Sequence, residues 1–355
     1  MNEKTKRRQM FSYWMPQKQE KISKTFLHHI RGTAIATDRE VDMREVETDD
    51  VGRIYLEDFD EVLAVSNTDT SFSFDCASRH GLTHLQQIGS LMVAAPDLDT
   101  GLTLFMGCIS FFDDRVVGLR MQRDGKTTYG MFYNRQVDAH FYHTQAGSLF
   151  LTGIDAWPTQ YIDNSTFNFP RVPLKYTSTH GYFWSQRFPW VEVGCNGSPF
   201  LSWTVDSNKT KWPAPNFNKP WYSLLINFLK STMDHIETAR KPWSRFVTNI
   251  MMCHPQDLNT KKTCALLQIS EQTLSKKLAA EGASASAIKD WILEETAKRA
   301  ISEGITEEWV CEQFGYSRGD YRSRLRRRSI ENPFEYSEAE KEKLLRLYKP
   351  ITYPS

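Results

Sequence analysis

The chain has 355 residues, a formal net charge of +1 and a charged fraction of 25%, which fits a soluble globular protein of about two domains. The near-zero net charge excludes a global field that draws the chain to nucleic acid or membrane, so any basic patch must be local. No apolar run reaches the roughly 18 residues that cross a bilayer. No apolar stretch follows the basic segment Met1 to Met10, so we expect no secretory signal.

The cysteines give no sign of a metal site or a disulfide framework. Six cysteines lie far apart without a CxxC pair, at Cys76, Cys108, Cys195, Cys253, Cys264 and Cys311. Free thiols in a reducing cytoplasm are the simplest interpretation. We therefore expect a cytoplasmic protein that has neither a metal nor another cofactor.

The N-terminal half predicts an α+β regulatory domain. Residues 1–50 are polar and predict an extension with some helix, whereas aromatic and β-branched residues increase over residues 51–220. Asp124-Gly125 is typical of a hairpin turn. The strand candidates are Arg115 to Gln122, Gln136 to Phe141, Ser148 to Ile154 and Arg171 to Tyr176. Leu82 to Val93 is predicted as a helix, and Leu102 to Phe112 as either a buried strand or a buried helix.

The C-terminal half predicts only helices. A proline-rich break precedes residues 221–241, which we interpret as a connecting helix, and Pro242 suits the first turn of the next one. Residues 242–340 then form an all-α domain, followed by a tail over residues 341–355. The predicted helices of the all-α domain are Trp243 to Met252, Lys261 to Leu266, Glu271 to Ala280, Ala285 to Ile301, Thr306 to Phe314 and Tyr321 to Arg328, with a last one after Pro333.

One of these helices has the pattern of an element that inserts into a partner. Ser270 is a good N-cap, and Leu274 and Leu278 share one face. The remaining face carries amides, hydroxyls and lysines, which can contact base edges and phosphates. These residues are Gln272, Thr273, Ser275, Lys276 and Lys277. The alternative is a solvated helix in a structural bundle.

A second signal is the arginine run near the C-terminus. With Tyr321 and Leu325 facing inward, Arg322 and Arg326 share one face of a helix, and Arg324 and Arg328 share another. Together with Arg327, either face can bind phosphate oxygens. The alternative is a solvated basic helix whose charge is neutralised by Glu307, Glu308 and Glu312.

These features resemble the AraC/XylS family of bacterial transcription regulators. Cys264 to Ser270, with Leu274, Leu278 and Glu281-Gly282, resembles the family's first helix-turn-helix. Phe314-Gly315-Tyr316-Ser317, with Tyr321, Leu325, Pro333 and Tyr336, resembles the second, and the helix from Ala285 falls where the family has its linker. Upstream, Ile88-Gly89 and Pro199 to Pro220 faintly resemble the arabinose-binding-like branch that includes ornithine-type regulators.

The resemblance implies sequence-specific binding to double-stranded DNA through two helix-turn-helix motifs in successive major grooves, about 34 Å apart. It places Gln272, Thr273, Ser275 and Lys276 at or near base-contacting positions. Gln272 can pair with adenine, Thr273 can offer its methyl to thymine, and Lys276 can reach guanine or a phosphate. Lys277 is expected to contact phosphate.

Four departures from the family pattern motivate an alternative function. Gln268 replaces a usual glycine, Leu293 replaces a usual arginine, and the usual glycine near Ile330 is missing. The interval from Gly315 to Tyr321 is one residue short. The alternative is a helical protein-interaction module, derived from such a regulator, in which DNA binding has weakened.

The N-terminal half offers only weak candidates for a site. An aromatic-rich patch can line an effector pocket, although an aromatic core or interface is at least as good an interpretation; it consists of His180, Trp184, Arg187 and Trp190. Asp113-Asp114 can bind a cation, but capping or turn formation is favoured. No GxSxG, P-loop or HExxH motif is present, so we expect no enzyme activity.

The sequence as a whole predicts a transcription regulator whose N-terminal domain binds a small-molecule effector or forms dimers. The expected partners are double-stranded DNA, a small-molecule effector, a second copy of the chain and RNA polymerase, with no membrane.

Overall fold

The computed structural model describes residues 21–48, 52–66, 70–81, 86–114, 116–133, 139–170, 182–198, 201–236, 238–255, 258–302 and 304–347. An α+β N-terminal part with two sheets is followed by an all-helical C-terminal part. The fold class predicted from the sequence is therefore confirmed.

The bounds of the elements are as follows. The strands are β1 (Lys21–Ser23), β2 (Arg53–Tyr55), β3 (Val116–Arg123), β4 (Lys126–Tyr133), β5 (Ser165–Pro170), β6 (Val191–Ser198) and β7 (Leu201–Asp206). The helices up to the middle of the chain are α1 (Lys24–Ala36), α2 (Leu56–Ser66), α3 (Thr70–Ser78), α4 (Gln86–Val93), α5 (Leu98–Phe112), α6 (Ala139–Asp155), α7 (Thr159–Ile162) and α8 (Ser207–Thr210). The later helices are α9 (Lys219–His235), α10 (Pro242–Cys253), α11 (Lys261–Leu267), α12 (Glu271–Ala280), α13 (Ala285–Ser302), α14 (Glu307–Gln313), α15 (Arg318–Arg327) and α16 (Glu338–Leu347). Short 3₁₀ turns cover Thr238–Arg240 and Pro333–Glu335.

A small lobe brings together residues from both sides of position 50. Strands β1 and β2 pair antiparallel, with Ile22 opposite Ile54. Helices α1, α2 and α3 cover this ribbon, and their apolar side chains share one buried cluster that includes Leu27, Phe59 and Phe72. The segment predicted as a polar extension thus contributes a strand and a helix to a packed core.

The larger sheet has five strands in the order β3-β4-β7-β5-β6. All its pairings are antiparallel except that of β5 with β6. The turn from β3 to β4 is Asp124-Gly125, with φ angles of 51° and 74°. Both residues have the left-handed backbone conformation, as in the type I′ turn, whose twist matches that of the strands that it joins. The hairpin predicted at this dipeptide is confirmed.

Two of the predicted strands are wrong. Ser148 to Ile154 lies inside α6, and Ala139 to Phe141 forms its first turn. Residues 147–154 of this helix are buried on every side, and a helix that is buried all round lacks the periodicity that separates it from a strand. Arg171 to Tyr176 lies outside the described residues, as do residues 82–85 of the predicted helix and residues 136–138 of the predicted strand Gln136 to Phe141. The helix predicted up to Val93 is confirmed from Gln86 onward.

Helix α5 is the central element between the two halves of the chain. It contains the apolar run Leu102 to Phe112, so the helical alternative for that run is the correct one. One side of α5 packs on the sheet, and the other crosses α10. At the crossing, a Cβ on Gly107 would stand 2.7 Å from both Phe246 and Ile250. Only glycine allows the two helices to approach so closely.

The C-terminal helices follow the predicted pattern closely. Helix α12 has the predicted bounds, and each of the other predicted helices is present with its ends shifted by a few residues. Their buried faces form one apolar cluster that continues into α4 and α5. In the described part of the chain, no helix combines the length and the apolar content that a membrane crossing requires.

Candidate nucleic-acid interface

The turn between α11 and α12 is a helix-turn-helix turn with glutamine at its left-handed position. Gln268 ends α11 with φ 53° and ψ 46°, and the Ile269 amide donates back to the Cys264 carbonyl at 3.1 Å. This is the bonding of a helix end that normally uses glycine. Gln268 adopts the same geometry, so the departure from the family pattern leaves the turn intact at some cost in backbone strain.

Helix α12 is anchored by two leucines and presents polar side chains to solvent. The Ser270 hydroxyl caps the helix by accepting from the Thr273 amide at 3.1 Å. Leu274 and Leu278 are fully buried. The exposed residues of the predicted face are Gln272, Thr273, Ser275 and Lys276. Apart from the bond between the Thr273 and Ser270 hydroxyls at 2.9 Å, these side chains make no polar contact with another described residue.

Lys277 differs from the other predicted contact residues of α12. Its ammonium lies 2.7 Å from the Asp234 carboxylate of α9 and 5.3 Å from the centre of the Trp243 ring. The indole of Trp243 donates to the same carboxylate at 3.0 Å. Lys277 therefore fastens α12 to α9 and α10, and a phosphate would have to compete with these contacts.

The second motif repeats the first at equal intervals along the chain. In each motif the repeated segment begins at a buried cysteine in the first helix and ends at a buried apolar residue just after the second helix. The matching pairs are Cys264 with Cys311, Gln268 with Gly315, Ser270 with Ser317, Leu274 with Tyr321, Leu278 with Leu325, Gly282 with Ser329, and Ala283 with Ile330. Within this chain the interval from Gly315 to Tyr321 therefore equals its counterpart in the first motif.

Helix α15 is capped and anchored in the same way as α12. The Ser317 hydroxyl accepts from the Asp320 amide at 3.1 Å, and Tyr321 and Leu325 are buried. The Tyr321 hydroxyl donates to the Leu293 carbonyl on α13 at 3.2 Å. Leu293 is itself buried in the shared core. Leu293, one of the departures from the AraC/XylS pattern, is therefore a packing residue.

The arginines in the first half of α15 are held by a buried acid. Glu307 accepts from Arg322 Nε at 2.8 Å and Nη2 at 2.7 Å, and from Arg318 Nε at 2.5 Å. Burial alone would raise the pKa of Glu307, but hydrogen bonds from Arg322, Arg318 and Asn332 outweigh that effect and bring the pKa to about 2. Arg322 is thus a structural partner of α14.

The later arginines of α15 fall into two groups. Arg328 pairs with Asp290 at 3.2 Å and with Ser286, which fastens the end of α15 to α13. The Arg324 guanidinium lies over the Tyr316 ring, 4.2 Å from its centre, and remains exposed. Arg326 and Arg327 are also exposed, and neither pairs with a carboxylate among the described residues.

The acids considered as neutralising partners act unequally. Glu307 binds two arginines and Glu308 pairs with Arg318 at 2.8 Å, whereas Glu312 has no such pair among the described residues. Arg318 belongs to this cluster, although it was not among the predicted contact residues. The run of arginines over residues 318–328, which includes it, was the available signal in the sequence.

The predicted effector patch is divided between core and surface contacts. His180 lies outside the described residues. Trp184 is fully buried and stacks on Phe188 with a ring-centre distance of 6.0 Å. Arg187 donates to the His80 carbonyl at 2.7 Å, and the Trp190 indole donates to Asp155 at 2.6 Å. Trp184, Arg187 and Trp190 therefore each make packing or hydrogen-bond contacts within the fold. The role of these residues in effector binding stays a prediction.

Asp114 joins three parts of the chain. Its buried carboxylate pairs with Arg53 of β2 at 2.7 Å, with Arg240 of the 3₁₀ turn at 2.8 Å, and with Arg245 of α10. All four side chains are largely excluded from solvent. The acid considered as a cation ligand thus binds arginines. Among the described residues, no group of three or more acidic, cysteine or histidine side chains can hold a metal ion.

Comparison with known proteins finds a likeness only among solved structures, and it is distant. No protein-family model matches the chain, and no curated protein is detectably similar to it. The solved structure of the transcriptional regulator CdpR from Pseudomonas aeruginosa aligns with 90% of this chain and 98% of its own, with a TM-score of 0.47 and 12% identity. That similarity is too low to transfer a function to this chain.

Proposed function

We propose that this protein is a sequence-specific DNA-binding transcription regulator of the AraC type. The observation that supports the proposal is the repeated motif, in which two capped helices present polar or cationic faces while paired apolar residues anchor them. A helix-turn-helix contacts bases with the N-terminal part of its second helix. In α12 that part is exposed and carries Gln272 and Thr273.

The two helices divide the work of binding. On α12, Gln272 pairs with adenine, the Thr273 methyl contacts a thymine methyl, and Lys276 reaches guanine or a phosphate. Ser275 completes this face as a hydrogen-bond donor or acceptor. On α15, the exposed Arg324, Arg326 and Arg327 bind phosphate oxygens, and each such contact adds affinity without sequence preference. Arg322 and Arg328 hold α15 in place.

The N-terminal part supplies control, by binding a small effector. What supports a coupling between the halves is their continuous packing. The pairs from Asp114 to Arg240 and Arg245 join the end of α5 to the start of the helical part. Asp114 links several elements through buried ion pairs. If one of these elements moves, the others move with it, because leaving a buried charge without its partner costs free energy.

The test is binding to the DNA upstream of the protein's own coding sequence, measured by electrophoretic mobility shift. We expect Gln272→Ala and Lys276→Ala each to weaken binding by roughly 5- to 150-fold, the equivalent of about 1–3 kcal/mol for a base contact. Lys343→Ala on the exposed side of α16 is the matched control. If both α12 variants bind this DNA as tightly as the parent, the assignment of the recognition helix is wrong.

One observation favours the second candidate, a helical interaction module with weakened DNA binding. The arginines at the start of α15 bind Glu307 and Glu308, so fewer cations remain for phosphate. A salt titration separates the two functions. Binding through several phosphates weakens steeply between 50 and 200 mM salt, whereas association with a protein partner through apolar contacts changes little.

A further inference from the structure

Lys277 and Arg324 occupy the same position in the two helix-turn-helix motifs. Each follows the first buried anchor residue of its helix by three positions. Each also lies over an aromatic ring. Lys277 Nζ is 5.3 Å from the centre of the Trp243 ring, and the Arg324 guanidinium is 4.2 Å from the centre of the Tyr316 ring. The two motifs therefore carry a cation at the same place on their second helices.

An acid from outside the motif distinguishes the first of these positions from the second. Lys277 Nζ lies 2.7 Å from Asp234 Oδ1, and Asp234 belongs to α9, which precedes the first motif. Arg324 is exposed and pairs with no carboxylate in the part of the chain that the structure describes. The Lys277–Asp234 pair is therefore an addition to the shared design of the two motifs.

Other contacts do most of the anchoring of α12. Its two leucines are fully buried, and Glu281 just after the helix accepts from the Trp243 and Ser244 amides at 2.9 and 2.8 Å. By contrast, the side chains of Lys277 and Asp234 are 37% and 41% exposed. An ion pair as exposed as this one changes an equilibrium constant by about fivefold at most. The Lys277–Asp234 pair therefore mainly determines where the ammonium of Lys277 lies.

The location of Lys277 on α12 brings it close to the proposed DNA surface. It follows Thr273 by one helical turn, so both side chains lie on the same side of the helix. Lysines beside base-contacting positions commonly bind the phosphates that flank the groove. A DNA phosphate and the Asp234 carboxylate would therefore compete for one ammonium group.

We propose that Asp234 is a positioning residue that restricts DNA binding, because it holds Lys277 away from phosphate. This inference rests on the proposed function, since it concerns the regulation of the same recognition helix. Helix α9 packs against α4 of the N-terminal part and against α10 and α11 of the C-terminal part. A shift of α9 relative to α12 therefore changes the number of phosphate contacts that α12 can make.

Fluorescence anisotropy with the full chain and a labelled duplex of arbitrary sequence, across a salt series, tests the proposal. Asp234→Asn keeps the shape of the side chain but removes its charge. We expect this variant to bind about fivefold more tightly at about 50 mM salt, with a logarithmic salt slope steeper by about 0.9, the contribution of one phosphate. Asp234→Glu restores the acid and the parent's slope. If the role of Asp234 were only to hold α12 in place, Asp234→Asn would bind more weakly, and that result overturns the proposal.

A double-mutant cycle shows whether the effect acts through the lysine. In a Lys277→Gln background, Asp234→Asn changes neither the affinity nor the salt slope. Glu312→Gln is the matched control, because Glu312 is exposed on α14 and the variant has the same effect in both backgrounds. An equal gain from Asp234→Asn with and without Lys277 indicates a general effect of charge and overturns the proposal.

The behaviour of the parent separates this proposal from the proposed function. A parent that binds no duplex at about 50 mM salt refutes DNA binding, and the role of Asp234 falls with it. A parent that binds the duplex while Asp234→Asn keeps the parent's salt slope leaves DNA binding intact and overturns only the role of Asp234.

Discussion

Glu307 and Arg322 form a bidentate pair between α14 and α15, with nitrogen–oxygen distances of 2.8 and 2.7 Å. The carboxylate is almost wholly buried, whereas the guanidinium is partly exposed. Two parallel hydrogen bonds of this kind fix orientation as well as adding energy. An arginine that the sequence assigns to DNA therefore sets the position of the helix that carries the other arginines.

Releasing this pair is expected to strengthen binding to phosphate. In Glu307→Gln, Arg318 and Arg322 lose the buried carboxylate that they share. The acids that remain beside them, Glu308 and Glu335, are exposed and hold them less firmly, so both arginines become more available to DNA. Each additional phosphate contact steepens the salt dependence of binding by about 0.9 in logarithmic slope, so we expect a slope steeper by about one to two. Fluorescence anisotropy across a salt series measures it. Glu312→Gln is the control, and an equal slope for both variants would show that the arginines do not reach DNA.

The low pKa of Glu307 predicts a pH dependence of stability. Because its folded pKa of about 2 lies below the unfolded value of about 4.3, the ionised form stabilises the fold. That contribution is fully present above pH of about 4.5 and is lost as pH falls toward 2. The parent's advantage over Glu307→Gln in urea denaturation should shrink across that window. An advantage that stays constant down to pH 2.5 would contradict the pairing.

Two of the non-glycine residues with left-handed backbone, both just after a helix, predict stabilising substitutions. Gln268 and Ser329 both have φ 53°, where a side chain costs roughly 1–2 kcal/mol. Glycine removes that strain but loses more chain entropy, by about 0.4–1 kcal/mol. We expect Gln268→Gly and Ser329→Gly each to raise the free energy of unfolding by about 0.5–1 kcal/mol. Gln272→Gly in helical backbone should lower it by about 1 kcal/mol, and urea denaturation distinguishes the signs.

Removing the carboxylate that joins β2, the 3₁₀ turn and α10 is expected to be severe. Asp114→Ala leaves Arg53, Arg240 and Arg245 without this acid in a largely buried position. Breaking a buried ion pair by deleting one partner costs about 3–5 kcal/mol. Asp124→Asn, in the exposed hairpin turn, should change stability by less than about 0.5 kcal/mol. A loss below 1 kcal/mol for Asp114→Ala would show that the arginines find other partners.

The C-terminal helices were predictable because their signals are local. Ser270 and Ser317 are caps, Gly282, Gly304 and Gly315 end helices, and apolar residues recur at helical spacing between them. The N-terminal part was less predictable. Residues 147–154 of α6 are buried on every side, and their pattern therefore resembles that of a strand. The polar segment before residue 50 likewise has no short-range sequence pattern that shows it packing into the small lobe.

The sequence by itself determined the class of each half, the bounds of α12 and the polar face formed by Gln272, Thr273, Ser275 and Lys276, because caps and periodicity act within a few residues. Only the tertiary structure decided which cations remain exposed. Lys277 is held by Asp234, Arg322 by Glu307 and Arg328 by Asp290, and each partner lies on another helix. Charge pairing depends on distance in space, so the fold determines how many arginines and lysines are left to meet DNA.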